Sequence, residues 1–239
     1  MIRQIHEESR FSYGSPRVTA ELRLGLGLEV NRKRVERLMR EHGIQGIYRR
    51  KGRKNLVNAA TEEDLVKRQF AAGAPDVLWL TDITEHPTRE GKVYCAVVLD
   101  AFSRRVVGWS ISHNPTAGLT TNALGMAIEQ RDAARGTVIH SDHGAQFTAW
   151  TFTDRARKSG LLPSMGSIGD CYDNAMIEAF WSRMQVELLN TRRWKTRVEL
   201  ANAIFEYIEV FHNRRRRHSS LGMRTPIEYE LLNTTPAAA

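Results

Sequence analysis

Val77-Leu-Trp-Leu-Thr-Asp-Ile-Thr84, Lys92-Val-Tyr-Cys-Ala-Val-Val-Leu-Asp100 and Arg105-Val-Val-Gly-Trp-Ser-Ile-Ser112 are three runs dense in β-branched and aromatic residues. Turn-prone segments, Pro87 to Gly91 and Ala101 to Arg104, separate them, so three consecutive antiparallel strands are predicted. Beyond Ser112 the pattern alternates. A helix is expected over about 116–131, a short strand over 137–142, a helix within 148–159, a Gly/Ser-rich loop over 163–169 and a long helix from Asp173 to about Asn190. A meander succeeded by alternating helix and strand predicts an α/β fold, a mixed sheet covered by helices.

Outside this middle the pattern turns helical and basic. Proline at Pro16 and glycines at Gly25 and Gly27 bracket a short helix over 17–24; Asn31 is a candidate N-cap for a second helix from Arg32 to His42, with Val35, Leu38 and Met39 on one apolar stripe. Its other surface carries Arg32, Lys33, Arg34, Arg37 and Arg40, which suits a helix-turn-helix whose second helix enters a DNA groove, or a basic hairpin that only packs on the core. Residues 1–60 hold 14 Lys+Arg and 6 Asp+Glu, residues 61–180 hold 11 and 15, and residues 181–239 hold 10 and 6. An acidic middle is thus flanked by basic arms, as expected when the flanks grip phosphates and the middle gathers carboxylates. The division expected is a basic DNA-binding arm and linker over 1–60, a core over 61–190 and a basic helical tail over 191–239. In the tail Phe205, Ile208 and Phe211 recur on a helix that runs into Arg214, Arg215, Arg216 and Arg217, which suit either a phosphate grip or a free solvated loop.

The 239 residues, 41% of them hydrophobic, can build a sizeable core, which excludes a disordered or collagen-like chain. The net charge of +8 favours a polyanionic partner. Cys95 and Cys171 are the only cysteines, too few for a disulfide framework or a Cys-rich zinc module. No stretch of 18 apolar residues and no signal-peptide core is present, so no membrane partner and a cytoplasmic location are expected.

Three carboxylates stand out by position. Leu78, Leu80, Asp82 and Thr84 share one face of the first strand, so Asp82 stands toward the end of a mostly apolar row, and Asp142 closes the fourth strand in the same manner with Gly144 just beyond. Glu178 lies one turn into the last core helix beside a stripe of Ile177, Trp181, Met184 and Leu188, and Asn174 shares its face four residues earlier. Brought together, three such groups would repel unless divalent cations neutralise them, and hard oxygen ligands point to Mg²⁺ or Mn²⁺. Two ions about 3.5–4 Å apart would activate a water or a 3′-hydroxyl and stabilise a leaving 3′-oxygen. Asp100 reads as a turn initiator and a weaker fourth carboxylate. His140 and His143 flank Asp142 without a third soft ligand, so hydrogen bonding is expected of them, and Cys171 reads as packing.

Three blocks carry a resemblance: Trp79-Leu-Thr-Asp82-Ile-Thr; His140-Ser-Asp142-His-Gly-Ala-Gln-Phe147; and Asp170-Cys-Tyr-Asp-Asn-Ala-Met-Ile-Glu178-Ala-Phe-Trp. With 59 residues between the aspartates and 35 between Asp142 and Glu178, they resemble the catalytic blocks of the retroviral-integrase superfamily. Tyr13-Gly-Ser-Pro-Arg17, the run Phe211-His-Asn-Arg-Arg-Arg-Arg-His-Ser-Ser-Leu-Gly222 and Thr225-Pro-Ile-Glu-Tyr229 are similar, more narrowly, to the second-reading-frame subunit of bacterial insertion-sequence transposases of the IS-three type. The resemblance implies an RNase H-like core in which Asp82, Asp142 and Glu178 bind two Mg²⁺ ions, nick a transposon end in double-stranded DNA and use the freed 3′-hydroxyl for strand transfer, with no covalent protein intermediate. It also implies a homo-oligomer on DNA and a first-reading-frame partner or fusion; Asn174 and the arginines of arm and tail are the expected DNA contacts. A non-catalytic DNA-binding regulator and a nuclease of the same fold that cuts without joining remain alternative readings.

Overall fold

The computed structural model describes residues 1–47, 72–131, 136–142, 144–165 and 175–234. Its centre is a five-stranded sheet of β1 (Leu78–Thr88), β2 (Gly91–Asp100), β3 (Val106–Ser112), β4 (Val138–Ser141) and β5 (Leu162–Met165), in the order β3-β2-β1-β4-β5. The first three strands form the antiparallel meander expected, and β4 and β5 add in parallel on the other side of β1. The fifth strand departs from expectation: Pro163 and Ser164, inside the expected loop, read as loop because proline and serine are poor strand formers, yet an edge position tolerates proline.

Both faces of the sheet are covered, so β2 alternates between two cores rather than between core and water. Val93, Cys95, Val97 and Leu99 face one cluster; Ala96 and Val98 face the other. The second cluster is closed by α4 (Ala117–Arg131), α5 (Ala145–Thr148) and α6 (Trp150–Lys158). Gly108 lets α4 lie against β3, since a Cβ there would stand 2.2 Å from the Ala123 carbonyl oxygen.

The first cluster is built from remote parts of the chain. α7 (Ala175–Glu187) and α8 (Arg197–Glu206) bring Ile177, Phe180, Met184, Leu200 and Ile204, and the N-terminal helices α1 (Ile2–Glu8), α2 (Ser15–Ala20) and α3 (Arg32–Glu41) bring Ile5, Val18, Val35 and Met39. Asn31 caps α3 as expected, its side chain accepting from the Lys33 amide at 2.8 Å. The last helix, α9 (Pro226–Asn233), starts with a full capping box between Thr225 and Glu228.

One polar network ties these helices together. Arg216 donates to Glu187 at the end of α7 through Nε and Nη2, both at 2.8 Å, and the Tyr207 hydroxyl donates to the same carboxylate at 2.9 Å. Burial alone would raise the Glu187 carboxyl; the Arg216 guanidinium outweighs it and holds the group below its ordinary value. Arg217 pairs with Glu21 and Glu228, each at 2.6 Å, and the Tyr13 hydroxyl donates to the Arg215 carbonyl and accepts from the Arg217 amide. Two helices widen into π-turns, at Glu21–Gly25 and Tyr207–His212, and each widening begins at a residue held in this network.

Arg216 and Arg217 correct the expectation of four free arginines. Their side chains are each 3% exposed and ion-paired: Arg216 is the cation that lets Glu187 sit inside the protein, and Arg217 is held between Glu21 and Glu228, which reach it from nearer the surface; of the four, only Arg214 and Arg215 face solvent. In the apolar stripe Ile208 and Phe211 are buried as expected, whereas Phe205 is half exposed and packs on Trp109. The linker expected after residue 48, Cys171, Asn174, His143 and most of the Gly/Ser-rich loop lie outside the described residues. Replacing Glu187 with Ala strands a buried guanidinium and is expected to lower unfolding free energy by about 3–5 kcal/mol, whereas Glu187→Leu with Arg216→Met should recover most of it. Urea denaturation of the two variants beside the unmodified chain measures this, and equal losses would rule out the pair as the source.

Candidate active site

β1 and β4 run parallel with Leu78 opposite Val138, Trp79 opposite Ile139 and Leu80 opposite His140. Continuing that register by two residues sets Asp82 opposite Asp142, where β4 has ended and the sheet opens. This is the carboxyl end of a parallel pair, the place where open α/β sheets expose a crevice. Alternation puts Asp82 on the face of Leu78 and Leu80, the face that α7 covers.

Each carboxylate is held differently. Asp82 is half-buried, its Oδ1 accepting from the Ile83 amide at 2.7 Å and its Oδ2 from the Trp181 indole at 3.0 Å. Asp142 is exposed and accepts from the Gly144 amide at 3.0 Å; a Cβ on Gly144 would stand 2.9 Å from that same Oδ1 and would push the carboxylate aside. Glu178 is exposed in the first turn of α7, where the helix dipole favours a negative charge.

The three are within electrostatic reach of one another. Asp82 is pushed up to about 6, first by burial and then by the charges of Asp142 and Glu178, against the Ile83 and Trp181 hydrogen bonds that favour ionisation. Among the described residues no three His, Cys, Asp or Glu side chains stand close enough to hold a metal ion as they are. The donor set itself suits a hard divalent cation: oxygen only, and one member whose charge is already penalised by its neighbours.

Other expected positions resolve simply. Asp100 is a turn residue as expected: its carboxylate accepts from the Ser103 amide and hydroxyl and from the Asp76 amide, and it is fully buried. His140 contacts the Ser164 hydroxyl at 3.2 Å, the hydrogen-bonding role expected of it. Arg32, Lys33, Arg34, Arg37 and Arg40 are all exposed on α3, with Arg37 and Arg40 beside Glu41 and Glu36 at 3.6 Å. In the sequence Trp181 is only one member of an apolar stripe; its place three residues after Glu178 is the signal that it shares that carboxylate's side of the helix.

Comparison with known proteins places these features in a family. Two models of the integrase core domain match residues 72–171 and 159–226, and one of an HTH-like domain matches residues 1–52. The transposase for insertion sequence element IS904 of Lactococcus lactis subsp. lactis (strain IL1403) is 34% identical over 98% of this chain and 93% of its own length. Transposase InsF for insertion sequence IS3A of Escherichia coli (strain K12) is 36% identical over 94% of this chain and 79% of its own. Among solved structures, a chain of the simian T-cell lymphotropic virus intasome in complex with PP2A regulatory subunit B56 gamma shares the fold, with a TM-score of 0.52 and 15% identity over 70% of this chain and 58% of that one. The sheet order, the open strand ends and these relatives agree: the chain belongs to the IS3 family of insertion-sequence transposases, DNA polynucleotidyl transferases built on an RNase H-like integrase core.

Proposed function

We propose that Asp82, Asp142 and Glu178 are the catalytic carboxylates of this transposase and that together they bind Mg²⁺ or Mn²⁺, two ions in the working complex. The observation that carries this reading is the Asp82 carboxyl, half-buried on the central strand beside the point where β4 ends, and raised by burial and by the charges of the other two. Such an ion, when bound, supplies Lewis acidity at the scissile phosphate and lowers the pKa of the attacking water or 3′-hydroxyl. The chain's own residues prepare the place for it. The Trp181 indole and the Ile83 amide occupy one lone pair on each Asp82 oxygen and so fix the carboxylate plane, while the Gly144 amide does the same for Asp142. Glu178 is carried on a helix anchored at its far end by the Glu187–Arg216 pair.

The exposed basic side of α3 is the DNA-reading surface in this proposal, with Arg214 and Arg215 adding charge from the tail; Asn174 belongs to the same set by its sequence position. Assembly as a homo-oligomer on paired ends, with a first-reading-frame product as partner or fusion, completes it. The solved chain of similar fold is itself part of an intasome.

Asp82→Asn, Asp142→Asn and Glu178→Gln should each reduce Mg²⁺- or Mn²⁺-dependent nicking of an end-containing duplex by more than about 100-fold while leaving a gel shift in Ca²⁺ unchanged. Near-normal nicking by any of them would remove that residue from the triad. Trp181→Phe keeps the ring and deletes only the donor to Asp82; it should raise the Mn²⁺ concentration needed for half-maximal nicking by about 10–100-fold. Neutralising Arg32, Arg34 and Arg37 together should flatten the salt dependence of DNA binding by about 0.9 log unit for each phosphate no longer held. An unchanged slope would make α3 a packing helix.

A further inference from the structure

α7 has two working sides. Glu178 and Trp181 lie on the side of Asp82, whereas Met176, Ala179, Phe180 and Arg183 recur at i, i+3, i+4 and i+7 and so share another face. That second face lines a separate cavity of about 200 Å³. Arg17 enters it from α2, Arg104 from the β2–β3 turn, and Arg216, His212 and His218 from the tail. Among the described residues no carboxylate lines it.

The positive charge there is mostly unmatched. Arg216 is neutralised by Glu187 behind it, but Arg17, Arg104 and Arg183 make no ion pair among the described residues. The Arg104 Nε is fully buried without a hydrogen-bond partner, a cost that proteins seldom leave standing. Arg104 also sits at φ 64°, a left-handed conformation uncommon for arginine, and the Asp100–Ser103 turn holds it there. The histidines record the same potential: His212 is pushed down to about 4 and His218 well below its ordinary value, by burial first and then by the Arg216 charge. A group of guanidinium donors converging on a half-open cavity with no acid to answer them suits a phosphate, whose oxygens accept paired N–H bonds.

We propose that this cavity is a phosphate-binding site that seats one DNA backbone phosphate on the flank of α7 away from the Asp82 contact, with Arg104 and Arg183 as its principal donors and Arg17 beside them. The site rests on the reading of the chain as a DNA-joining enzyme and adds to it a contact outside both the carboxylate site and the α3 surface. Ser219 and Ser220, exposed at the cavity's edge, supply hydroxyl donors. Because its residues come from arm, core and tail, a phosphate seated there bridges all three.

The test uses the full chain, the double variant Arg104→Gln/Arg183→Gln and the single variant Arg183→Glu, which alters only an exposed side chain. DNA binding is measured in Ca²⁺ across a salt series, and thermal unfolding is measured without DNA in the presence and absence of inorganic phosphate. The expected result is a salt slope smaller by about 0.9 in both variants, with unfolding in phosphate-free buffer unchanged. Equal slopes for all three proteins would overturn the proposal. A phosphate-dependent rise in unfolding temperature that the variants lose, with equal DNA slopes, would overturn the backbone assignment in favour of a free anion. Failure of the underlying reading looks different: the unmodified chain itself would neither shift nor nick an end-containing duplex.

Discussion

The bidentate contact of Arg216 with Glu187 decides how the rest of the chain is arranged. Both side chains are almost wholly excluded from water, so neither can be there without the other. Glu187 ends the helix whose first turn carries Glu178; Arg216 belongs to the loop that Tyr13 and Arg17 clasp from the N-terminal side. A single ion pair therefore fixes the bearing of α7, the path of the tail and the docking of the arm. An apolar pair of the same volume would fill the space, but the fork of two parallel hydrogen bonds also fixes orientation, which packing alone leaves softer.

The carboxylate site illustrates the opposite balance. Asp82 gains two hydrogen bonds yet remains hard to ionise, because burial and two like charges outweigh them. A protein selected for stability alone would not leave a carboxylate half-buried on a central strand in this way. Local instability at this point is what a site for a divalent cation requires, and the surrounding fold, with both sheet faces packed, offsets it.

Much of this is legible in the chain itself. Period-two patterning locates β1 to β3, and the positions of Asp82 on the face of Leu78 and Leu80, of Asp142 just past β4 and of Glu178 in a first helical turn emerge from counting along each element. Asn31 and Thr225 declare helix starts through their side-chain chemistry. The hidden features depend on residues far apart in sequence. Nothing local separates Arg214 from Arg216: the four arginines are identical in the chain, and only the approach of Glu187, Glu21 and Glu228 sorts the buried pair from the exposed one. β5 is obscured by Pro163 and Ser164, since a short edge strand owes its existence to a neighbour's hydrogen bonds rather than to its own propensity. Trp181 is masked by its own hydrophobicity, the indole N–H being invisible in an apolar count.

The interlock of Tyr13 with the Arg215–Arg217 backbone joins groups 202 residues apart in the sequence. Synthesis proceeds from the amino end, so the arm emerges well before the tail it clasps. Until the tail follows, Tyr13, Val18 and Leu22 have no Phe211 or Ile208 to pack on, and the helices that carry the basic surface lack their final footing. The basic helices thus gain their fixed placement only after the integrase core that separates Tyr13 from Arg215 has been made, which ties the order of the arm to the completion of that core.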